Sequence, residues 1–119
     1  QLIKYMFAGN KYKHVTPAEV KRKIDSGKDN FTILDVRSKK AYDAGHIKGA
    51  ISIFFNDLIG RESIGIDRKK EIIVTCYLGG LSRASIGILA ERGFTKLYNM
   101  DGGMGAWDYE KVKSKLGHH

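Results

Sequence analysis

The 119-residue sequence contains a single cysteine, Cys76, and this scarcity excludes two kinds of structure. One thiol cannot close a disulfide within the chain, and it cannot supply the several cysteine ligands of a zinc site. A chain without disulfides is typical of reducing compartments, so we expect a cytoplasmic protein. His14 and His46 lie far apart with no third ligand suggested, so we expect neither a metal nor a cofactor.

Long hydrophobic runs are also missing. The longest apolar stretches, residues 50–55 and 72–75, are far shorter than the ~20 residues needed to cross a bilayer. Runs of this length fit buried strands instead. We therefore expect no membrane association.

No signal peptide is visible at the start of the sequence. The sequence opens on Gln1 without an initiator methionine, which favours a trimmed chain or a piece of a longer protein. His118 and His119 resemble the remnant of an affinity tag and are set aside. The remaining residues, 1–117, have the length of one domain.

Acidic residues are few relative to basic ones: 13 Asp and Glu stand against 21 Lys and Arg, for a net charge of +8. Nucleic-acid binding is one interpretation of such an excess. The basic residues are scattered, however, and no DNA-reading or RNA-reading motif accompanies them. We expect no nucleic-acid partner, and we expect the charge to serve solubility or anion chemistry.

Hydrophobic spacing and turn residues predict strands that alternate with helices. Thr16, Pro17 and Glu19 form a capping box at the start of a helix, and Gly93 is expected to cap a later one. The predicted helices cover residues 17–26, 38–43, 54–59, 82–92 and 105–115. The predicted strands cover residues 31–36, 50–53, 71–75 and part of 94–100. This alternation predicts a parallel α/β sheet, with ligands bound beyond the carboxyl ends of its strands.

Cys76 stands where one of these strands ends. A glycine turn, Gly79-Gly80, follows it, and a helix then begins near Leu81 or Ser82. Such a turn aims backbone N–H groups at one point, and the helix N-terminus adds partial positive charge. Together they favour a thiolate nucleophile. The pattern also fits a buried, inert cysteine, so both interpretations stay open on these residues alone.

Six segments of the sequence follow one another at characteristic spacings. They are YKHVTPAE at 12–19, LDVR at 34–37, YDAGHIKGA at 42–50, CYLG at 76–79, GF at 93–94 and DGGMGAW at 101–107. This series resembles the rhodanese family over residues 12 to 107. The resemblance implies an α/β fold, a five-stranded parallel sheet flanked by helices on both faces. It also implies transfer of sulfane sulfur through a cysteine persulfide, here on Cys76, to a thiol or cyanide acceptor.

The active-site loop departs from the family pattern at one position. The family loop resembles C-x-x-G-x-R, but Leu81 stands where that arginine is expected, and Arg83 is the nearest arginine. The spacing from Cys76 to Gly93 is the family's usual one, so the loop has not been lengthened. Either the arginine is lost or Arg83 replaces it, and thiosulfate is in doubt as the preferred donor. The loop does not resemble the H-C-x5-R loop of the phosphatase branch.

Further residues are expected to bind substrate or to support the site. The expected substrate contacts are Tyr77, Leu78, Gly79, Gly80, Leu81, Ser82 and Arg83. Asp35 and Arg37 are interpreted as a buried ion pair near the site rather than as catalytic groups. His46 is expected to fix its loop through backbone hydrogen bonds rather than act as a base. Trp107 is expected in the core or at the rim of the site.

Two functions remain open at this point. The first is a sulfurtransferase that takes sulfur from a small-molecule donor and gives it to a thiol or a protein acceptor. The second is a non-catalytic rhodanese-like binding or regulatory module, a role that such a domain can also have as part of a larger protein. The retained Cys76 favours the first, and Leu81 in place of arginine favours the second. The sequence leaves the donor, the acceptor and the oligomeric state open.

Overall fold

The computed structural model describes residues 12–61 and 63–115, in which five strands alternate with four α-helices. The strands are β1 (Lys13–Val15), β2 (Phe31–Asp35), β3 (Ile51–Ser52), β4 (Glu71–Thr75) and β5 (Leu97–Met100). The α-helices are α1 (Pro17–Asp25), α2 (Lys39–Ala44), α3 (Phe55–Gly60) and α4 (Gly80–Glu91). A short 3-10 helix, Gly103–Ala106, follows β5.

The strands form one sheet in the order β1-β5-β4-β2-β3, and every neighbouring pair is parallel. The central strand β4 pairs with β2 along its whole length, from Phe31 opposite Glu71 to Asp35 opposite Thr75. The carboxyl ends of these two strands therefore lie side by side, and Cys76 follows directly. The five-stranded parallel sheet predicted above is confirmed.

Successive residues of the strands face opposite sides of the sheet, as a two-residue period requires. Leu34, Ile72 and Val74 pack on one side in a buried cluster that includes residues of α3 and α4. Ile33 and Ile73 pack on the other side in a second cluster that includes Val20 of α1 and Trp107. Strands buried on both faces explain the nearly continuous apolar sequences of β2 and β4. Trp107, as a member of the second cluster, lies in the core.

The capping box that begins α1 is present as predicted. The Thr16 side chain accepts a hydrogen bond from the Glu19 amide at 3.1 Å, and the Glu19 carboxylate accepts one from the Thr16 amide at 2.9 Å. These bonds to Thr16 hold the pKa of the exposed Glu19 carboxyl below its ordinary value. The helix thus begins where local sequence signals place it.

The predicted boundaries of the helix after Cys76 are wrong at both ends. The helix after Cys76 begins at Gly80 rather than at residue 82, because Gly79 takes a left-handed conformation (φ +113°) and turns the chain at once into α4. It ends at Glu91, with Arg92 as its C-cap and Gly93 (φ +91°) following.

The predicted last helix, residues 105–115, is also wrong. Only the 3-10 helix Gly103–Ala106 forms, and Val112 then pairs its backbone with His46 through hydrogen bonds of 2.8 and 2.9 Å. Ser114 adds two further bonds, from its amide and its hydroxyl, to Asp43. A short polar helix gains little on its own, so these contacts with a distant loop determine the conformation.

No α-helix in residues 12–61 or 63–115 has both the length and the apolar character needed to span a bilayer. Residues 1–11 and 116–119 lie outside the described ranges. The single domain expected over residues 1–117 and the tag-like His118 and His119 therefore stay predictions.

Candidate active site

Cys76 lies at the carboxyl edge of the sheet, directly after the central strand β4. Its side chain is only 2% exposed and belongs to the same buried cluster as α4. The sulfur is therefore presented at the floor of the loop that joins β4 to α4, not on the outer surface. This is the edge at which open parallel sheets bind ligands.

The sulfur receives a backbone hydrogen bond from the turn that begins α4. The Gly79 amide donates to Cys76 Sγ at 3.0 Å. Gly79 reaches this position with φ +113°, a conformation that a side chain would oppose. The twelve-residue helix α4 begins at the next residue, so its N-terminal partial positive charge faces the same sulfur.

Behind the loop, the 3-10 helix holds the carbonyl groups of Cys76 and Tyr77. The Met104 amide donates to the Cys76 carbonyl at 2.6 Å, and the Gly105 amide donates to the Tyr77 carbonyl at 2.8 Å. These contacts need the close approach of Gly103, where a Cβ would lie only 2.4 Å from the Cys76 oxygen. The Gly102-Gly103 pair belongs to a motif that the sequence shows, but no role was predicted for it. Two adjacent glycines after a strand are the sequence feature that points to this close approach.

A buried polar chain lies on the other side of the sulfur. Ser82 Oγ is 3.6 Å from Cys76 Sγ, and the hydroxyl contacts the Gly79 carbonyl at 2.9 Å and the Asn99 side-chain oxygen. Asn99 Nδ2 donates to Asp101 at 3.3 Å. Ser82, an expected substrate contact, is completely buried beneath the loop. Asn99 was not predicted, because the only sequence feature that points to it is a polar residue in an apolar strand.

Asp35 and Arg37 form the buried ion pair that their sequence pattern suggested. Arg37 Nη2 lies 2.8 Å from Asp35 Oδ2, and Nε adds bonds of 3.0 and 3.2 Å to the two carboxylate oxygens. Arg37 Nη2 also donates to the Gly45 carbonyl at 2.8 Å. Asp35 is fully buried, so the arginine neutralises a charge that would otherwise be costly. Arg37 nevertheless reaches the wall of the cavity above Cys76.

His46 makes hydrogen bonds with backbone groups, as its sequence pattern suggested, both to the preceding helix α2 and to Val112. Its Nδ1 lies 2.7 Å from the Tyr42 carbonyl oxygen, and its ring stacks on the Tyr42 ring at 3.7 Å between centroids. Burial, together with the nearby Asp35 and Asp43 carboxylates, raises the pKa of the Tyr42 hydroxyl. That hydroxyl therefore remains protonated and donates to the Ala50 carbonyl. His46 is not among the residues that line the cavity.

A cavity of about 400 Å³ opens above the sulfur. It is lined by Arg37, Ser38, Ala41, Cys76, Tyr77, Leu78, Gly80 and Leu81. Four of the predicted substrate contacts, Tyr77, Leu78, Gly80 and Leu81, are thus brought together at its wall. Arg83 is not among the lining residues, although its Nη1 lies 3.5 Å from where a Cβ on Gly79 would stand.

The comparisons with known proteins agree with this arrangement. A family model described as "Rhodanese-like domain" matches residues 16–110. The thiosulfate sulfurtransferase GlpE of Pseudoalteromonas translucida is 34% identical over 97 residues, which cover 82% of this chain and 90% of that protein. The GlpE protein of Shewanella oneidensis is 29% identical over 99 residues, covering 81% and 92%.

Solved structures give the same picture. The rhodanese-like domain of the Anabaena protein Alr3790 superposes with a TM-score of 0.77 at 26% identity, over 89% of this chain and 83% of that one. A rhodanese-like domain protein from Staphylococcus aureus gives a TM-score of 0.76 at 28% identity, over 87% and 98%.

Proposed function

The chain belongs to the rhodanese-like domain family and is a sulfurtransferase, and we propose that it transfers sulfane sulfur through a persulfide on Cys76. The observation that carries this proposal is the hydrogen bond that the Gly79 amide donates to Cys76 Sγ at the N-terminus of α4. A thiolate is the reactive form of cysteine, and amide donors and a helix N-terminus both favour it.

The transfer takes two displacements at sulfur, with no net oxidation or reduction. The Cys76 thiolate attacks the outer sulfur of the donor and forms an S–S bond. The donor's own bond to that sulfur breaks, and its electron pair leaves with the donor, as sulfite when the donor is thiosulfate. The acceptor thiolate then attacks the outer sulfur of the persulfide, and the electron pair returns to Cys76 Sγ.

The surroundings of the sulfur bear on the choice of donor. The two GlpE relatives are named for thiosulfate, and thiosulfate is therefore the first donor to test. The cavity supplies little positive charge for a dianion, because Leu81 stands at the position of the family arginine and Arg37 is already paired with Asp35. We propose that this chain uses thiosulfate weakly. It accepts uncharged sulfane donors more readily, in the reducing environment of the cytoplasm.

Mass spectrometry of the intact protein tests the role of Cys76. Incubation with thiosulfate or a polysulfide should add one sulfur atom, and the label should map to Cys76. The Cys76→Ser variant should lose both the label and the transfer activity. Its free energy of unfolding should fall only modestly, because the serine hydroxyl that replaces the buried thiol can accept the hydrogen bond from the Gly79 amide. Transfer activity that survives in Cys76→Ser would refute the mechanism.

A further inference from the structure

The mouth of the Cys76 cavity is ringed by apolar side chains that face solvent. Leu78 is 72% exposed, Tyr77 is 62% exposed and Leu81 is 41% exposed. They account for three of the six large hydrophobic residues that are exposed in the described part of the chain. We name Tyr77, Leu78 and Leu81 the apolar rim. Scattered exposed apolar residues need no explanation, but a cluster around a reactive group marks a binding surface.

We propose that the apolar rim is a docking surface for a protein acceptor whose cysteine lies on a projecting segment, between apolar residues and beside acidic ones. This proposal rests on the proposed sulfur transfer through Cys76 and names the acceptor for that site. It distinguishes such a partner from small thiols and cyanide, which reach the sulfur without covering the rim.

The depth of the sulfur supports a projecting partner. Cys76 is 2% exposed, while Leu78, two residues later, is largely in solvent. An acceptor thiol must therefore enter the cavity of about 400 Å³ between the rim residues and the start of α2, where Ser38 and Ala41 line the wall. A protein segment that enters in this way buries the rim side chains, and that burial is favourable. A small thiol leaves most of the rim in water.

Charge complementarity supports the acidic flank. None of the eight described residues that line the cavity carries a carboxylate, and the one charged side chain among them, Arg37, is paired with the buried Asp35. Outside the lining, the exposed Lys40 lies on α2 between two lining residues, and the exposed Arg83 lies on the first turn of α4. The whole chain has a net charge of +8. Such a surface attracts an acidic partner and repels a basic one.

Synthetic peptides provide the probe. The acceptor peptide carries one cysteine between two leucines, with two glutamates on each side, and a second peptide carries lysines in place of the glutamates. Cyanide serves as the small acceptor. The protein is loaded beforehand with polysulfide, and the unreacted polysulfide is removed because it reacts directly with cyanide and with thiols. A fluorescent copy of each peptide, with serine in place of cysteine, reports binding in the absence of any sulfur transfer.

The enzyme variants are Leu78→Ser and the matched control Ile59→Ser. Ile59 is also an exposed apolar residue, at 52%. Its carbonyl accepts a hydrogen bond from the side chain of Arg92, which follows the end of α4 remote from the sulfur, and Ile59 does not line the cavity. In Leu78→Ser, the ratio of kcat/KM for the acidic peptide to kcat/KM for cyanide should fall about tenfold, which corresponds to about 1.4 kcal/mol. The ratio should keep its original value in Ile59→Ser.

Binding of the serine peptides separates this proposal from the one it rests on. The acidic peptide should bind more tightly than the basic one, and Leu78→Ser should weaken that binding about tenfold. If no persulfide forms but this binding pattern holds, the proposed transfer has failed and the docking surface stands. The docking surface is overturned if persulfide forms but Leu78→Ser changes neither the kcat/KM ratio nor the affinity for the peptide. Equal affinity for the acidic and basic peptides would overturn the acidic partner.

Discussion

Adding one methyl group at Gly103 should strongly destabilise the loop that carries Cys76. Gly103 has φ +57°, and an added Cβ would lie 2.4 Å from the Cys76 carbonyl oxygen and 2.6 Å from that of Tyr77. Both neighbours are backbone atoms of the loop that joins β4 to α4, which cannot move aside as the end of a flexible side chain would. Gly103→Ala must therefore push the 3-10 helix and the loop apart.

The cost can be worked out from two contributions. A left-handed backbone costs a residue with a Cβ about 1–2 kcal/mol. Separation of the helix from the loop breaks the hydrogen bonds from Met104 and Gly105, each worth about 0.5–1.5 kcal/mol. We expect Gly103→Ala to lower the free energy of unfolding by about 2–5 kcal/mol, a large share of the ~5–15 kcal/mol typical of a domain.

Gly27→Ala is the matched control. Gly27 has φ +73°, and a Cβ there would meet no atom within 4 Å, so this variant carries the backbone cost alone. Urea unfolding of both variants isolates the contact with the loop as the difference between them. Sulfur loading of Cys76, measured well below the unfolding transition, should slow in Gly103→Ala and not in Gly27→Ala. Equal losses of stability in the two variants would show that the loop does not rest on the 3-10 helix.

Three further outcomes are expected. Thr16→Ala should lower the free energy of unfolding in urea by about 0.5–2 kcal/mol and leave sulfur transfer unchanged. A large loss of activity at unchanged stability would mean that α1 contributes to the site. Hydrogen bonds to Thr16 lower the pKa of Glu19 in the folded state, so they stabilise the protein fully at pH values above the ordinary pKa of 4.5. This stabilisation should be lost as the pH falls below 4.5, and the loss of stability over that pH range should be smaller in Glu19→Gln. Leu81→Arg should lower KM for thiosulfate about tenfold or more, because a charge-assisted hydrogen bond is worth roughly 1.5–3 kcal/mol. An uncharged polysulfide donor should gain much less. If Leu81→Arg has no effect while Arg83→Ala abolishes thiosulfate turnover, the loop arginine has moved to position 83 and the anion site is not weakened.

Local signals were enough to predict most of the scaffold. The capping box at Thr16 marks a helix start from residues three apart, and the apolar runs of β2 and β4 follow from their burial on both faces. The position of Cys76 at the end of a strand and before a glycine turn is equally local. Such features need no knowledge of where the rest of the chain lies.

The rest of the site depends on contacts between segments far apart in the sequence. Asn99 and Gly103 reach the Cys76 loop because β5 pairs with β4, and nothing near either residue says which carbonyl or hydroxyl it will meet. The chain after Trp107 gives the same lesson in reverse. Its residues permit a helix, but Val112 pairs with His46, more than sixty positions earlier. Tertiary pairing of this kind overrides a weak helix propensity.

The strand order has a consequence for how the protein is made. The chain emerges from the ribosome from its N-terminus, yet β1, near the start of the described chain, pairs only with β5, which ends at Met100. Until β5 has emerged, β4 has one of its two neighbours, and the groups that surround the sulfur from Asn99 to Gly105 do not yet exist. Pairings over such distances are slow to form. Cys76 is therefore synthesised before the segments that pack around its loop, and the arrangement around it is complete only once β5 has joined the sheet.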